Sequence, residues 1–367
     1  MRIAAFNVEN FFSRVRAMNG EDTDEGRVIL NEYSKLNARI AKETYTAADK
    51  QAMVASLVAL GLERSDESKW AILRQNHGHL VKRSSADIAI IVEGRGDWIG
   101  WVDLKKETVN EVATQMTARV IHDIGADILA VVEAEDRTTL TRFNTQMLRA
   151  AGAQYSQIML IDGNDERGID VGLMTRPGHV IESIVSHVDD LAGADRIFSR
   201  DCPEFRVRVG DDVVLVLVNH LKSKGFGAPA ESNARRKAQA QRIREIYEER
   251  RAEGNEFIVI VGDMNDTPDS DPLSPLLGDG SDLKDITEHP KFESDGRPGT
   301  YKNGTASNKI DYLLLSPALF KKVTGGKIFR KGVWGGKHGT VFPHYDEMTL
   351  EIHAASDHAA IYADIEM

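Results

Sequence analysis

The stretch FIVIVGDMNDTPDSDP, residues 257–272, runs five apolar residues into Gly262, Asp263, Met264, Asn265 and Asp266, then breaks up in proline and aspartate. A short β-branched run bounded by turn formers reads as a buried strand. An Asp or Asn after a strand ordinarily opens a turn, because its side chain bonds to the backbone two residues on. Taken alone, GDMND points no further than that.

The arrangement recurs along the chain. DILAVVEAED (127–136) runs to Glu133, VVLVLVNHLKS (213–223) runs to Asn219 and His220, and IAAFNVEN (3–10) runs to Asn7 and Glu9. Toward the other end the order reverses. KIDYLLLSP (309–317) places Asp311 just before its apolar run, and ASDHAAIYADI (355–365) places Asp357 and His358 before a half-alternating strand. Strand ends are where a rigid scaffold hands over to loops, and functional groups collect there. Charged groups at the mouths of buried strands cost desolvation energy unless they are paired or bound to a cation. One cation answers that cost for several of them, and Asp, Glu and Asn oxygens suit Mg²⁺, Mn²⁺ or Ca²⁺ rather than zinc.

Composition bounds the alternatives. Hydrophobic residues at 41% and charged ones at 28% leave enough apolar chain for a sizeable core in 367 residues. The net charge of −11 has the wrong sign for gripping nucleic acid over a broad surface, although a local basic groove is compatible with it. The lone cysteine, Cys202, excludes an internal disulfide and a thiolate metal cluster, and is read as a small buried residue. The N-terminal apolar run, Ile3 to Phe6, is too short for a secretory signal, and no stretch has the length of a membrane span. A cytoplasmic protein with no membrane association and no obligate protein partner is the expectation.

NVEN, VVEAED, RGIDVGLM, VNHLKSKG, VGDMND, NKIDYLLLSP and SDH, in that order, resemble the endonuclease/exonuclease/phosphatase superfamily, the deoxyribonuclease-I-like fold. The resemblance covers residues 1–12 and about 120–367. It implies an α+β fold, a four-layer sandwich of two packed mixed β-sheets flanked by helices.

It also implies roles. Glu133 matches the principal metal-binding glutamate, Glu9 stands where an acidic residue assists, and Asp357 completes that pocket, with Mg²⁺ or Mn²⁺ expected and Ca²⁺ as an alternative. Asp263 and Asn265 bind or orient the attacked phosphate, the nucleophilic water or a second metal. His358 looks like the essential histidine and Asp311 the carboxylate that sets its tautomer. His220 resembles the second histidine, which contacts the phosphate and acts as general acid, and Asn7 holds the phosphate-side network. In relatives with the RGIDVGLM motif the Arg and Asp lie near the site, which implies Arg167 on a phosphate and Asp170 behind His220. The alternative reading there is a surface strand with a charged edge. Lys222 and Lys224, with Arg235, Arg236 and Lys237, precede or open a helix capped by Ser232 or Asn233. Cations there oppose the helix dipole, which hints at phosphate contacts, against a simple solvated basic face.

Residues 13–107 lengthen a connection that is short in the family. TAADKQAMVASLVALGL (46–62) reads as a helix, SDESKWAILRQNHGHLVKRSS (65–85) as the start of another, and 88–104 as two strands around a Gly-Arg-Gly-Asp turn. TVNEVATQMTARVIHDIGAD (108–127), with Val112, Met116, Val120 and Ile124 at helical spacing, is the helix leading to the Glu133 strand. No linker separates the insertion, so it is taken as an elaboration of a single domain. It combines Arg74, His77, His79, Lys82 and Arg83 with Trp98 and Trp101, which suits substrate selection or plain packing.

The function expected is a metal-dependent phosphodiesterase acting on nucleic acid, foremost a DNA-cleaving nuclease. A phosphatase or phospholipase-type esterase of the same fold is the alternative. A non-catalytic binding protein is the third reading, disfavoured because every matched position carries a competent side chain.

Overall fold

The structure is a computed structural model describing all residues except 19–22, 86, 166 and 225–227. The apolar runs become the central strands of two sheets. In the seven-stranded sheet the order is Phe292–Glu293, Val323–Phe329, Ala360–Ile365, Arg2–Asn7, Ile128–Ala134, Asp170–Thr175, Gln157–Leu160. In the six-stranded sheet it is His179–Val185, Glu204–Val209, Asp212–His220, Ile258–Asp263, Asp311–Leu315, Lys284–Asp285.

Successive side chains on a strand point to opposite faces, and both faces are used. Ile3, Ala5, Ile128, Val132, Val171 and Leu173 meet Val214, Val216, Val259, Val261, Leu313 and Leu315 in the core between the sheets. The alternate residues Phe6, Leu129 and Val131 pack outward with Met116, Val120 and Ile124 of the Glu111–Ile124 helix. On the other side Ile258, Ile260, Tyr312 and Leu314 pack with Ile243, Ile246 and Tyr247 of the Pro229–Ala252 helix. Helix, sheet, sheet, helix are the four layers, in an α+β fold.

Asn110 caps the first of these helices by accepting from Val112 N–H, and Gly125 ends it in the left-handed conformation. The second begins at Pro229, so Ser232 and Asn233 lie inside it instead of capping it. A first-turn proline supplies its own fixed φ and lacks the N–H a cap would satisfy.

Residues 13–108 group as a second compact unit with its own core, in which Leu36, Met53, Leu57, Leu73, Trp98 and Val102 are buried. The expected helix at 47–59 is present, closed by a Thr46–Asp49 capping box. Two expectations fail here. Ala71–His77 is a strand, not helix, and pairs with Ile99–Leu104. Ile88–Ile90 pairs with Val81–Arg83, so 88–104 is not one hairpin. Trp98 is buried while Trp101 lies exposed beside Arg74. Among the described residues no helix is long and apolar enough to cross a membrane.

Candidate active site

Strand pairing assembles the site. Asp212–His220 runs parallel to Ile258–Asp263, and Asp311–Leu315 runs antiparallel to it, so that His220, Asp263 and Asp311 fall side by side in register. Gly262 permits the closeness. Its φ is +127°, and a Cβ there would stand 2.0 Å from the Asn219 carbonyl oxygen. The other sheet supplies Asn7 and Glu133 from the parallel strands Arg2–Asn7 and Ile128–Ala134. Asn7 Nδ2 joins the two sheets by donating to Glu133 Oε1 at 3.1 Å and to Asp263 Oδ2 at 3.3 Å. Its own oxygen accepts from Glu9 N–H at 3.1 Å.

His358 enters two residues before the Ala360–Ile365 strand, which is bonded to Arg2–Asn7. Its Nδ1 donates to Asp311 Oδ2 at 2.8 Å, and the Thr300 hydroxyl donates to the same oxygen at 2.5 Å. This pairing turns Nε2 toward Asp357 Oδ1 at 3.8 Å and Asp263 Oδ2 at 4.0 Å. His220 Nε2 approaches the same carboxylate from another side, 3.7 Å from Asp263 Oδ2 and 3.5 Å from Glu133 Oε1.

The electrostatics of the two imidazoles differ. Burial opposes charge on His358, but Asp311, Asp357 and Asp263 outweigh it and hold the pKa well above the ordinary histidine value. Burial, reinforced by Arg200 and Arg167, pushes His220 well below that value, so this ring is neutral. Burial and then repulsion from Asp311 raise the Asp263 carboxyl.

Strain collects at the same place. The non-glycine residues with positive φ among those described are Glu9, Asn10, Glu133, Asn265 and Lys302. Four of them flank the strand ends just named, and Lys302 N–H donates to the Asp357 carbonyl at 2.8 Å. Left-handed backbone costs a non-glycine residue on the order of 1–3 kcal/mol and concentrates where geometry is over-determined.

The oxygen-rich donor set fits a hard divalent cation. Among the described residues, Glu133, His220 and Asp263 offer ligand atoms within 4.8 Å of one another, as do Asp263, Asp311 and His358. A cation there would offset the desolvation and the Asp311 repulsion that raise the Asp263 carboxyl. Glu9 and Asp357, expected beside Glu133, meet each other: Asp357 N–H donates to Glu9 Oε2 at 3.3 Å.

The remaining expected residues have definite partners. Asn265 N–H donates to Asp263 Oδ1 at 2.8 Å, and its Nδ2 donates to the Leu221 carbonyl at 3.1 Å. Arg167 forms a bidentate pair with Asp165, at 2.9 and 2.7 Å. Asp170 does not reach His220. It accepts from Gly163 N–H at 2.8 Å, burial raises its pKa to about 7, and His220 Nδ1 has no hydrogen-bond partner. Lys224 pairs with Asp266, which also takes buried Arg236 at 2.9 Å. Lys222 is half-buried, and burial followed by repulsion from Arg200 and Arg167 lowers its pKa to about 8.

Sequence reading missed two residues. Tyr301 packs on His358 with ring centroids 4.8 Å apart, and its phenol faces Asp357, Glu9 and Glu133. Arg200, 2% exposed, reaches the Leu221 carbonyl that Asn265 also uses. Neither lies in a periodic or spaced pattern. The only signal is a lone arginine in SRDCP and a lone tyrosine in GTYKNG.

Comparison with known proteins supplies the lineage. No curated protein matches the chain. Among solved structures it is similar to the Bacteroides thetaiotaomicron mannosyl-6-phosphatase, at 15% identity and a TM-score of 0.52 over 70% of this chain and 92% of that one. An endonuclease/exonuclease/phosphatase family protein from the same organism gives 16% identity and a TM-score of 0.50, over 69% and 88%. Truncated Caenorhabditis elegans TDP2 gives 19% and 0.47, over 69% and 90%. The first two likenesses show the fold. The family model matches residues 85–343, and the chain accordingly belongs to the endonuclease/exonuclease/phosphatase family, a family of phosphoester hydrolases.

Proposed function

We propose that this protein is a divalent-metal-dependent phosphodiesterase that cleaves nucleic acid, with DNA as its foremost substrate. The observation that carries the proposal is the flanking of one buried carboxylate, Asp263, by two imidazoles of opposite electrostatic bias. Hydrolysis of a phosphodiester needs its charge neutralised, a water held in line, and the leaving oxygen protonated. A divalent cation, held by Glu133 and Asp263 with Glu9 and Asp357 near by, supplies charge neutralisation when bound.

The chain's own groups account for the rest. Asn7 and Asn265 orient the phosphate through amides that the backbone already fixes. Asp311 holds the His358 proton on Nδ1, so that Nε2 faces the reacting atoms and exchanges a proton there. His220, neutral and aimed at the same oxygens, donates a hydrogen bond to the phosphate and holds it in place, while His358, whose carboxylates favour the protonated ring, supplies the proton to the leaving oxygen.

A second reading, hydrolysis of a small phosphorylated molecule, is favoured by the surface charge. The chain carries −11, and Lys224 and Lys237 near the helix start are already paired with Asp266 and Asp271. Supercoiled plasmid with Mg²⁺ or Mn²⁺ separates the two. Nicking that is lost in EDTA and in His358→Ala supports the nuclease. Intact plasmid, together with metal-dependent release of phosphate from a sugar phosphate, supports the second reading and overturns the first.

A further inference from the structure

The net charge of −11 is unevenly spread along the chain. Residues 295–304 and 330–342 together hold five Lys or Arg against one acidic residue, Asp295. Buried Arg330 takes that carboxylate, with Nε 2.5 Å from Asp295 Oδ2. It also fastens the two segments together, donating to the Gly299 carbonyl at 2.6 Å and to the Arg297 carbonyl at 2.5 Å. Phe342 lies beneath both guanidinium groups, 5.0 Å from Arg330 and 5.5 Å from Arg297. Arg297, Lys302, Lys337 and His338 are exposed, and among the described residues none of the four pairs with a carboxylate.

The first segment is anchored in the active site. Ala359 N–H donates to the Thr300 carbonyl at 2.7 Å, and Tyr301 bridges to His358 as an isolated antiparallel pair. Lys302 N–H donates to the Asp357 carbonyl at 2.8 Å, and Lys302 Nζ stands 5.0 Å from the centroid of the Tyr301 ring that packs on His358. Lys302 also holds φ +45°, a left-handed conformation that glycine or asparagine adopts more readily. Outliers of this kind gather at ligand clamps. Arg297 Nη1 donates to the Asn303 carbonyl at 3.1 Å, which sets it beside Lys302. A Cβ on Gly336 would stand 3.9 Å from Asn303 Oδ1, so the turn at 335–339 meets the same edge. That turn is tightly packed: a Cβ on Gly335 or Gly339 would lie 2.5 Å from Phe342 or 2.9 Å from Trp334. Its tip is left to Lys337 and His338.

The neighbouring acidic groups are otherwise engaged. Asp357, Glu9 and Glu133 face the Tyr301 phenol, and they are the carboxylates that would hold the cation. Asp346, Glu347 and Glu351 follow in the chain on a stretch that lies against the Glu111–Ile124 helix. There Tyr345 donates to Asp123 at 2.9 Å and Glu347 pairs with Arg119 at 2.7 Å. Separated, exposed cations suit a polyanion, whose phosphates recur along a strand and meet them one by one. A small phosphorylated molecule held at the scissile position would leave them in water.

We propose that Arg297, Lys302 and Lys337 form a basic rim that binds backbone phosphates of a polynucleotide on the His358 side of the scissile bond. The inference rests on the nucleic-acid reading above and gives the strand a path, across the segments 295–304 and 335–339.

The test measures binding of a fluorescent single-stranded DNA of about 20 nucleotides to the His358→Ala protein in Mn²⁺, by anisotropy over a salt series. Each single-strand phosphate contact contributes about 0.7 to the slope of log affinity against log salt. Lys302→Asn, Arg297→Gln and Lys337→Gln should each lower that slope by about 0.7, and the triple variant should bind at least tenfold more weakly at about 0.1 M salt. Lys331→Gln removes the same charge where the ammonium lies 5.9 Å from the Tyr345 ring, and should bind within twofold of its parent. Asparagine suits the positive φ of Lys302, and thermal melts check that each variant folds. A loss in the triple variant no larger than in Lys331→Gln overturns the rim, and so does a parent that binds no strand. Plasmid nicking by wild type is scored separately. Cleavage with rim-independent binding removes the rim and keeps the nuclease, whereas rim-dependent binding without cleavage of any phosphoester removes the hydrolase reading and keeps the rim.

Discussion

Replacing Asp311 by asparagine probes the pair that orients His358. Asp311 Oδ2 receives His358 Nδ1 at 2.8 Å and the Thr300 hydroxyl at 2.5 Å. Asparagine keeps the shape and one acceptor but removes the charge. A hydrogen bond to a charged group contributes about 1.5–3 kcal/mol and a neutral one about 0.5–1.5, so the change removes about 1–2 kcal/mol of support for the oriented ring. If that support is needed in the transition state, kcat/KM falls about five- to thirtyfold, at about 1.4 kcal/mol per decade. Stability should move little, because Asp263 loses the repulsive neighbour that helps raise its carboxyl. Alanine differs, since it strands both the imidazole N–H and the Thr300 hydroxyl in a buried place, at about 1–3 kcal/mol each. The assay is hydrolysis of bis(4-nitrophenyl) phosphate in Mn²⁺ beside a thermal melt. Asp311→Asn activity within twofold of wild type would refute the reasoning.

Three further outcomes follow from the packing. Gly262→Ala sets a Cβ against the Asn219 carbonyl and should cost roughly 3 kcal/mol or more, read as a lowered urea midpoint; an unchanged midpoint would show that the two strands separate freely. Asp266→Ala leaves Arg236, fully buried, without its carboxylate and should destabilise by about 3–5 kcal/mol, whereas a loss under 1 kcal/mol would mean the guanidinium finds another partner. His187 donates to Glu204 at 2.7 Å and to Asp190 at 3.0 Å, and these carboxylates outweigh burial to raise its pKa. A raised folded-state pKa gives stability that is complete below about pH 6.5 and lost as pH rises through the folded value. The melting-temperature gap between wild type and His187→Gln should therefore be wider at pH 6 than at pH 9, and a gap independent of pH would exclude a charged His187.

How far the sequence reaches is clear from individual elements. The central strands were legible because they are buried on both faces and read as unbroken apolar runs, and their polar ends marked Asn7, Glu133, His220, Asp263 and Asp311. What brings those ends together is register between distant strands, which no local pattern states. Ala71–His77 was misread because ILRQNH alternates poorly and its partner, Ile99–Leu104, lies more than twenty residues away. The hairpin expected at 88–104 is absent because each strand has another partner, Ile88–Ile90 the neighbouring Val81–Arg83 and Ile99–Leu104 the distant Ala71–His77. Arg200 and Tyr301 stand in irregular loops, where position depends on the packed fold rather than on any period. The Asp170–His220 contact came from family analogy, and the Gly163 N–H takes that carboxylate first.

If the carboxylates gathered at the strand ends hold a divalent cation, the ion should stabilise the fold through them. Thermal melting of wild type, Glu133→Gln and Asp263→Asn with and without millimolar Mn²⁺ tests it most directly. A ligand at a hundredfold its Kd adds about 2.7 kcal/mol. Wild type should therefore melt several degrees higher with Mn²⁺, and both variants should lose most of that shift. Without metal, Asp263→Asn should melt no lower than wild type, because it removes a buried carboxylate that Asp311 repels. Equal Mn²⁺ shifts in all three proteins, or none in wild type, would contradict the claim.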